Sequence, residues 1–333
     1  MAKKNLDLFD PNAPKPFIIT VSSRALYDLE ESNDYFQKHG EKKFEKYQRD
    51  RENDPLNPGC AHSLIKKILN INDLLPEGAR PFEVVLLSRN SPETGLRVFN
   101  TIERDGLNIF RAVFTSGESP STYLDAIGVD LMLSTNPAEV KKAIDRGIAA
   151  ATLMPKSFTK GSTESQIKIA FDGDAVLFSD EAEKVHHDSG LSGFRAHEKE
   201  KAHLPLEPGP FRGFLKVIHE LQKHFPSGAD CPVRTALITA RSAPSHKRAI
   251  LTLREWGVRV DTAMFLGGKD KGPYLKAFAA DLFLDDSKHN VENAISHAPS
   301  GHVPYGIRNA PDADEANFSG AAAKEEKKPS PKI

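Results

Sequence analysis

Two carboxylates stand two residues apart at Asp172 and Asp174, with Gly173 between them, directly after the apolar run Ile167–Phe171. That spacing suits a tight turn from which both acids converge on one ligand. One can attack a phosphorus atom while the other passes a proton to the departing oxygen. A carboxylate approaching a phosphate dianion meets charge repulsion, so such a pocket needs cations. Asp285-Asp286, after the apolar Leu282–Leu284, is a hard oxygen pair suited to Mg2+. Lys271 can balance the remaining charge, and it is preferred to Lys269 because it directly precedes Gly272-Pro273 and a helix start. Thr239, after Leu237-Ile238, offers a hydroxyl and a backbone N–H to phosphate oxygens, helped by the amino end of the helix that follows. Singly these signals are weak. A surface Asp-x-Asp or Asp-Asp is usually a solvated turn, a lone Thr a cap and a lone Lys a surface charge. In this order, each at a strand end or helix start, they point to Mg2+-dependent phosphoryl transfer through an aspartyl-phosphate.

The elements that must carry them follow from apolar runs and turn residues. Strands are expected at Phe17–Val21, Val84–Leu87, Ala112–Phe114, Leu131–Leu133, Ile167–Phe171, around Leu237-Ile238, at Met264–Leu266 and at Leu282–Leu284. Val84–Leu87 reads as a strand covered on both faces. Helices are expected over most of Leu26–Leu75 and at Thr94–Arg104, Ser119–Ile127, Glu139–Ala151, Ser245–Trp256 and Pro273–Ala279. Strands alternating with helices across short connections imply an α/β fold, a parallel sheet with helices on both faces.

The pattern occurs twice. At an offset of 150, Val21–Leu26 falls on Phe171–Val176 and Pro55–Gly59 on Pro205–Gly209; at 151, Val84–Ile144 lies on Thr235–Ile295 without a gap, with about 17 identities in 61 positions. Asp172, Asp174, Lys271, Asp285 and Asp286 face Ser22, Arg24, Pro120, Ser134 and Thr135. One copy has the acids and the cation; the other keeps the apolar framework alone. The expected organisation is a loose arm at 1–16, a degenerate module at 17–154, a linker at 155–166, a catalytic module at 167–310 and a disordered tail at 311–333. Each module carries a mainly helical insert of roughly 50 residues after its first strand. In the second copy this is a cap at 179–232, set where α/β sheets bind ligands and able to act as a lid.

Composition sets the limits. The chain has 333 residues, enough for two domains, with Lys plus Arg at 45 and Asp plus Glu at 46. That balance argues against nucleic acid or an anionic membrane as partner, while leaving room for a small anion held by a local cluster. Two cysteines, Cys60 and Cys231, fit a reducing compartment better than a disulfide framework. The polar start and the absence of any membrane-length apolar run lead to an expectation of a cytoplasmic protein.

The four motifs together resemble, in order, those of the haloacid-dehalogenase-type phosphatases, which implies two haloacid-dehalogenase-like, Rossmann-like modules. More closely, Ile169–Glu183 (IAFDGDAVLFSDEAE), Leu237–Ala243 (LITARSA), Phe265–Pro273 (FLGGKDKGP) and His302–Gly306 (HVPYG), with Val21–Leu26 (VSSRAL) and Gly147–Thr152 (GIAAAT), resemble the cytosolic 5'-nucleotidases of class I. The similarity covers roughly 17–308. It implies Asp172 as nucleophile and Asp174 as acid and base. Thr239, Ala240 and Lys271 would bind phosphate, and Asp285 and Asp286 would hold Mg2+ with Asp172 and the backbone carbonyl of Asp174. The implied reaction is hydrolysis of nucleoside 5'-monophosphates, AMP prominently. The stretch Ser287-Lys288-His289-Asn290 departs from the family's animal members and bears on base preference.

Other residues read more plainly. His186, His187, His197 and His203 crowd the insert without a zinc spacing and read as a solvated lid. Arg241 fits a phosphate or ribose contact and a structural ion pair equally well. Trp256 and Phe265 read as core. Phe178, Phe194 and Phe211 read first as core, with base stacking as the functional alternative. Ser88 and Ser134 read as vestigial, with an effector site as the alternative. Two competing functions stay open: a phosphatase of another ester such as a sugar phosphate, and a nucleotide-binding regulator without turnover. A homo-oligomer is compatible with either.

Overall fold

The structure, a computed structural model, describes residues 15–76, 79–155, 165–226 and 228–310. Among these, ten strands build one sheet: β1 Phe17–Ser22, β2 Phe82–Ser88, β3 Arg111–Phe114, β4 Leu131–Ser134, β5 Ala149–Leu153, β6 Ile167–Phe171, β7 Val233–Thr239, β8 Thr262–Phe265, β9 Leu282–Asp285 and β10 Ser300–His302. Their order across the sheet is β8-β7-β6-β9-β10-β5-β4-β1-β2-β3. Every neighbouring pair is parallel except one. At the middle, β10 meets β5 antiparallel, with Gly301 opposite Leu153 and His302 opposite Thr152. The inner strands are near-continuous apolar runs, such as Ile-Lys-Ile-Ala-Phe in β6, because parallel strands are covered on both faces.

The halves mirror each other in order, β3-β2-β1-β4-β5 against β8-β7-β6-β9-β10. The strand starts repeat at the offset seen in the sequence: 17, 82, 111, 131 and 149 against 167, 233, 262, 282 and 300. Small details repeat too. Asp130 Oδ2 accepts the Ile18 N–H at 2.8 Å, and Asp281 Oδ2 accepts the Lys168 N–H at 2.8 Å. Contacts also cross between the halves. Phe17 stacks on Phe214 with centroids 5.4 Å apart, and Lys67 Nζ donates to Asp281 Oδ1 at 2.7 Å in a buried pair.

One expected element differs. The helix expected at Glu139–Ala151 ends at Asp145, and Ala149–Ala151 belongs to β5. Alanine favours helix when isolated, but Gly147 turns the chain at φ 78°, and the strand it enters lies at the sheet's centre. Small residues are needed there: a Cβ on Gly301 would stand 3.1 Å from the Ala151 Cβ. The three-residue strand β10 has no apolar run to announce it.

After β1 come the helices Glu30–His39, Glu41–Arg49 and His62–Asp73; after β6 come Glu181–Glu200 and Arg212–Gln222. Two glycines let each insert pass close to the turn that follows its half's first strand. A Cβ on Gly59 would meet Ala25 O at 2.6 Å, and one on Gly209 would meet Phe178 O at 2.3 Å. Most of the expected arm at 1–16, most of the linker at 155–166 and the tail at 311–333 lie outside the described residues. No described helix is long and apolar enough to cross a membrane.

Candidate active site

The carboxyl ends of β6, β7 and β9 meet at one cavity of about 650 Å³. Asp172 leaves β6 with its N–H donating to Leu284 O of β9 at 2.8 Å. Lys271, at the start of the helix Gly272–Phe278, lies between two acids: Nζ is 2.5 Å from Asp172 Oδ1 and 2.6 Å from Asp285 Oδ2. Asp285 Oδ1 also accepts the Ser287 N–H at 2.8 Å, and Asn290 Nδ2 reaches both its oxygens at 3.2 and 3.1 Å. Thr239 closes β7 and is buried. A Cβ on Gly173 would stand 3.2 Å from its Oγ1, so the turn after Asp172 runs directly past it. Ala240 is exposed on the cavity wall, as is Lys269.

Asp172, Asp285 and Asp286 each present an oxygen within 4.8 Å of the others, the one group among the described residues able to hold a metal. Asp286 Oδ2 is buried without a hydrogen bond, with Arg308 Nε 3.6 Å away. Glu183, from the insert, pairs with the same arginine at 2.6 Å, while its Oε2 is also left without a hydrogen bond. When ionised, the four carboxylates would face two cations, an excess of two negative charges. Burial pushes Asp172 up to about 7 against the pull of Lys271, and burial likewise pushes Glu183 up to about 7 against Arg308. Burial also raises Asp286, helped by Glu183 and Asp285. The two carboxylates raise Lys271 against burial, so it stays charged. Hard oxygens with an excess of two charges and an unsatisfied buried oxygen fit a divalent cation such as Mg2+.

Asp174 points elsewhere. Arg241 holds it in a fork, Nε to Oδ2 at 2.9 Å and Nη2 to Oδ1 at 2.7 Å. The carboxylate of Asp174 therefore stands outside the three-acid group. The histidines also part company: His186 lines the cavity, His187 pairs with Asp188, His197 neighbours Glu181 and Glu198, and His203 is exposed. Phe178 and Phe211 are fully buried in the core, Trp256 and Phe265 pack against it, and Phe194 walls the cavity.

A sequence-family model described as 5'-nucleotidase matches residues 10–310. The chain belongs to the 5'-nucleotidase family. It is 36% identical over 303 residues to human cytosolic 5'-nucleotidase 1B, a match covering 88% of this chain and 50% of that protein. The chain thus spans about half the length of the curated relative it matches. A solved histidinol dehydrogenase from Elizabethkingia anophelis aligns over 72% of this chain and 49% of its own at 11% identity, but its TM-score of 0.22 carries no argument.

In this 5'-nucleotidase-family chain, the positions facing the acids and Thr239 in the other half keep backbone duties. Ser134 Oγ accepts the Asn136 N–H at 3.1 Å, as Asp285 accepts that of Ser287; Ser88 Oγ accepts the Asn90 N–H at 3.2 Å, as Thr239 Oγ1 accepts that of Arg241 at 3.2 Å. Ser22 Oγ accepts from Ala25 and Thr135, while Arg24 is exposed. Sequence reasoning missed Glu183, Glu198, Arg248 and Arg308. The first two lie in the insert's run of Lys, Glu and His, which reads as a solvated face. Asn290 lies in the stretch Ser287–Asn290 read for base preference, and nothing in the sequence marks it as a partner of Asp285.

Proposed function

We propose that the chain hydrolyses nucleoside 5'-monophosphates, AMP among them, to nucleoside and phosphate in a Mg2+-dependent reaction. The observation that carries this reading is Lys271 Nζ between Asp172 and Asp285 at the floor of a cavity that also holds Thr239 and Asp286. Asp172 attacks phosphorus, the ester bond to the nucleoside oxygen breaks, and an aspartyl-phosphate forms on Asp172. Asp174 gives its proton to the departing 5'-oxygen, then takes one from the water that cleaves the acyl-phosphate. Thr239, the Ala240 N–H and Lys271 hold the phosphoryl oxygens. Asp172, Asp285, Asp286 and the Asp174 carbonyl would hold Mg2+, which would supply positive charge against the phosphoryl oxygens. The two sheet halves are read as two haloacid-dehalogenase-like modules, 17–154 degenerate and 167–310 catalytic, the latter with the cap 179–232. Cytoplasmic location is part of the same reading, as is a homo-oligomer as a compatible state.

Phosphate release from nucleoside 5'-monophosphates, 3'-monophosphates and sugar phosphates, with Mg2+ and with chelator, tests it. Release restricted to 5'-monophosphates and lost in chelator is expected. Preference for sugar phosphates would overturn the substrate. No release by folded protein would overturn the enzyme and favour a binding regulator. Asp172→Asn should bind nucleotide without turnover.

A further inference from the structure

Among the described residues, the Asp174 carboxylate hydrogen-bonds to one side chain, Arg241, and that side chain is held by the insert. Arg241 is 1% exposed. Besides its fork on Asp174, its Nη1 bonds Glu198 Oε2 and Ser245 O. Glu198 sits near the end of the insert helix Glu181–Glu200, which breaks into two arms at Gly190 (φ 63°), and is 0% exposed. Its other oxygen accepts from Arg248 Nη1 at 2.8 Å, and Arg248 Nη2 reaches Glu181 Oε2, at the start of the same helix, at 3.1 Å. The two arms of this broken helix are thereby fixed to Arg248, and the second arm is fixed to Arg241 as well.

We propose that Arg241 and Glu198 are positioning residues that make the placement of Asp174 conditional on the docking of the insert helix. This rests on the reading of Asp174 as the proton donor and acceptor. A carboxylate gripped on both oxygens by one guanidinium has one orientation. Each oxygen keeps a lone pair outside the fork, where the proton passed to the leaving group is carried and where the proton taken from water is received. The guanidinium in turn has one stable place only while Glu198 is beside it, because a buried cation is tolerated only when its partners are present. Phe194, from the same helix, lies with its ring centroid 5.6 Å from Arg241 Cζ and walls the cavity. The helix that covers the substrate therefore also aims the acid. Undocked, Asp174 has no fixed direction, and a phosphate ester in the open cavity lacks its proton donor.

The test uses the full chain with Mg2+, reading kcat/KM, which covers the steps through departure of the leaving group. Arg241→Lys and Glu198→Gln are compared with wild type on a nucleoside 5'-monophosphate, on phenyl phosphate and on p-nitrophenyl phosphate. The two aryl esters share a shape, and the nitrophenolate leaves with little need of a proton. The expected result is a fall of roughly ten- to a hundredfold on the nucleotide, and a p-nitrophenyl to phenyl ratio raised about tenfold. The double variant should lose far less than the product of the single losses, because both act through Asp174. Equal losses on both aryl esters, or no loss, would overturn the proposal. Should Glu198→Gln fail to fold, Arg241→Lys decides by the same ratio. Wild type inactive on all three esters would instead overturn the reading of the site as a phosphohydrolase.

Discussion

Replacing Lys271 with Met keeps the side chain's length and removes its charge from between two acids. Nζ lies 2.5 and 2.6 Å from Asp172 and Asp285, and the three side chains are 6%, 10% and 0% exposed. Removing one partner of a buried ion pair costs about 3–5 kcal/mol, because the remaining charges stay desolvated. Against a typical total of about 5–15 kcal/mol, that is a large fraction. At about 2.1 cal/mol/K per residue, 333 residues give an unfolding entropy of ~0.7 kcal/mol/K. The melting temperature in chelator at pH 8 should therefore drop by roughly 4–7 °C. Calorimetry on both proteins measures it. Saturating Mg2+ at about a hundredfold its dissociation constant should return about 2.7 kcal/mol, or ~4 °C. Turnover should fall at least about a hundredfold, the usual cost of losing a preorganised charge donor. A variant that melts within about a degree of wild type in chelator would refute the view that Lys271 bridges buried negative charge.

Asp172→Asn isolates the titration of that acid. Burial raises Asp172 to about 7 from 3.8, so the unfolded chain loses this proton first and wild-type stability declines between about pH 4 and 7. In chelator the variant should gain on wild type across that window, and Mg2+ should reverse the gain; denaturant titrations that show a constant gap would contradict it. Gly59→Ala and Gly209→Ala should each destabilise by more than about 2 kcal/mol, since the new methyl meets backbone atoms. Only the second should also reduce phosphate release, which equal activity losses in the two variants would disprove. Burial pushes the Cys60 thiol up to about 12, so a thiol reagent should label it only on unfolding; rapid labelling of the native protein at Cys60, mapped by mass spectrometry, would count against that burial.

Much of the fold was legible because it rests on apolar runs. β6 begins and ends where its sequence changes character, and β9 differs from its expected span by a single residue. The acids were legible because each stands at the end of such a run. What escaped depends on contacts far apart in sequence. Ala149–Ala151 has no apolar alternation that marks it as extended; pairing with Leu131, Met132 and Leu133 of β4 imposes it. Glu198 sits in a stretch reading Arg-Ala-His-Glu-Lys-Glu, indistinguishable from a solvated helix face until Arg241 and Arg248 arrive from 43 and 50 residues away. The fork on Asp174 was half visible, since Arg241 read equally as a phosphate contact and an ion pair.

The single antiparallel junction between β5 and β10 has a consequence for how the molecule could diversify. Because direction reverses only there, the carboxyl ends of β6, β7 and β9 open on one rim of the sheet, and those of β1, β2 and β4 open on the opposite rim. Mutations that reshape one rim leave the loops of the other untouched. A molecule seated on the far rim would be out of reach of the substrate and would communicate with it through the shared strands and the few side chains that cross between the halves, such as Lys67 and Phe17. The far rim is thus a free experimental field, where loops can be grafted, lengthened or scrambled while the acids at the near rim keep their geometry.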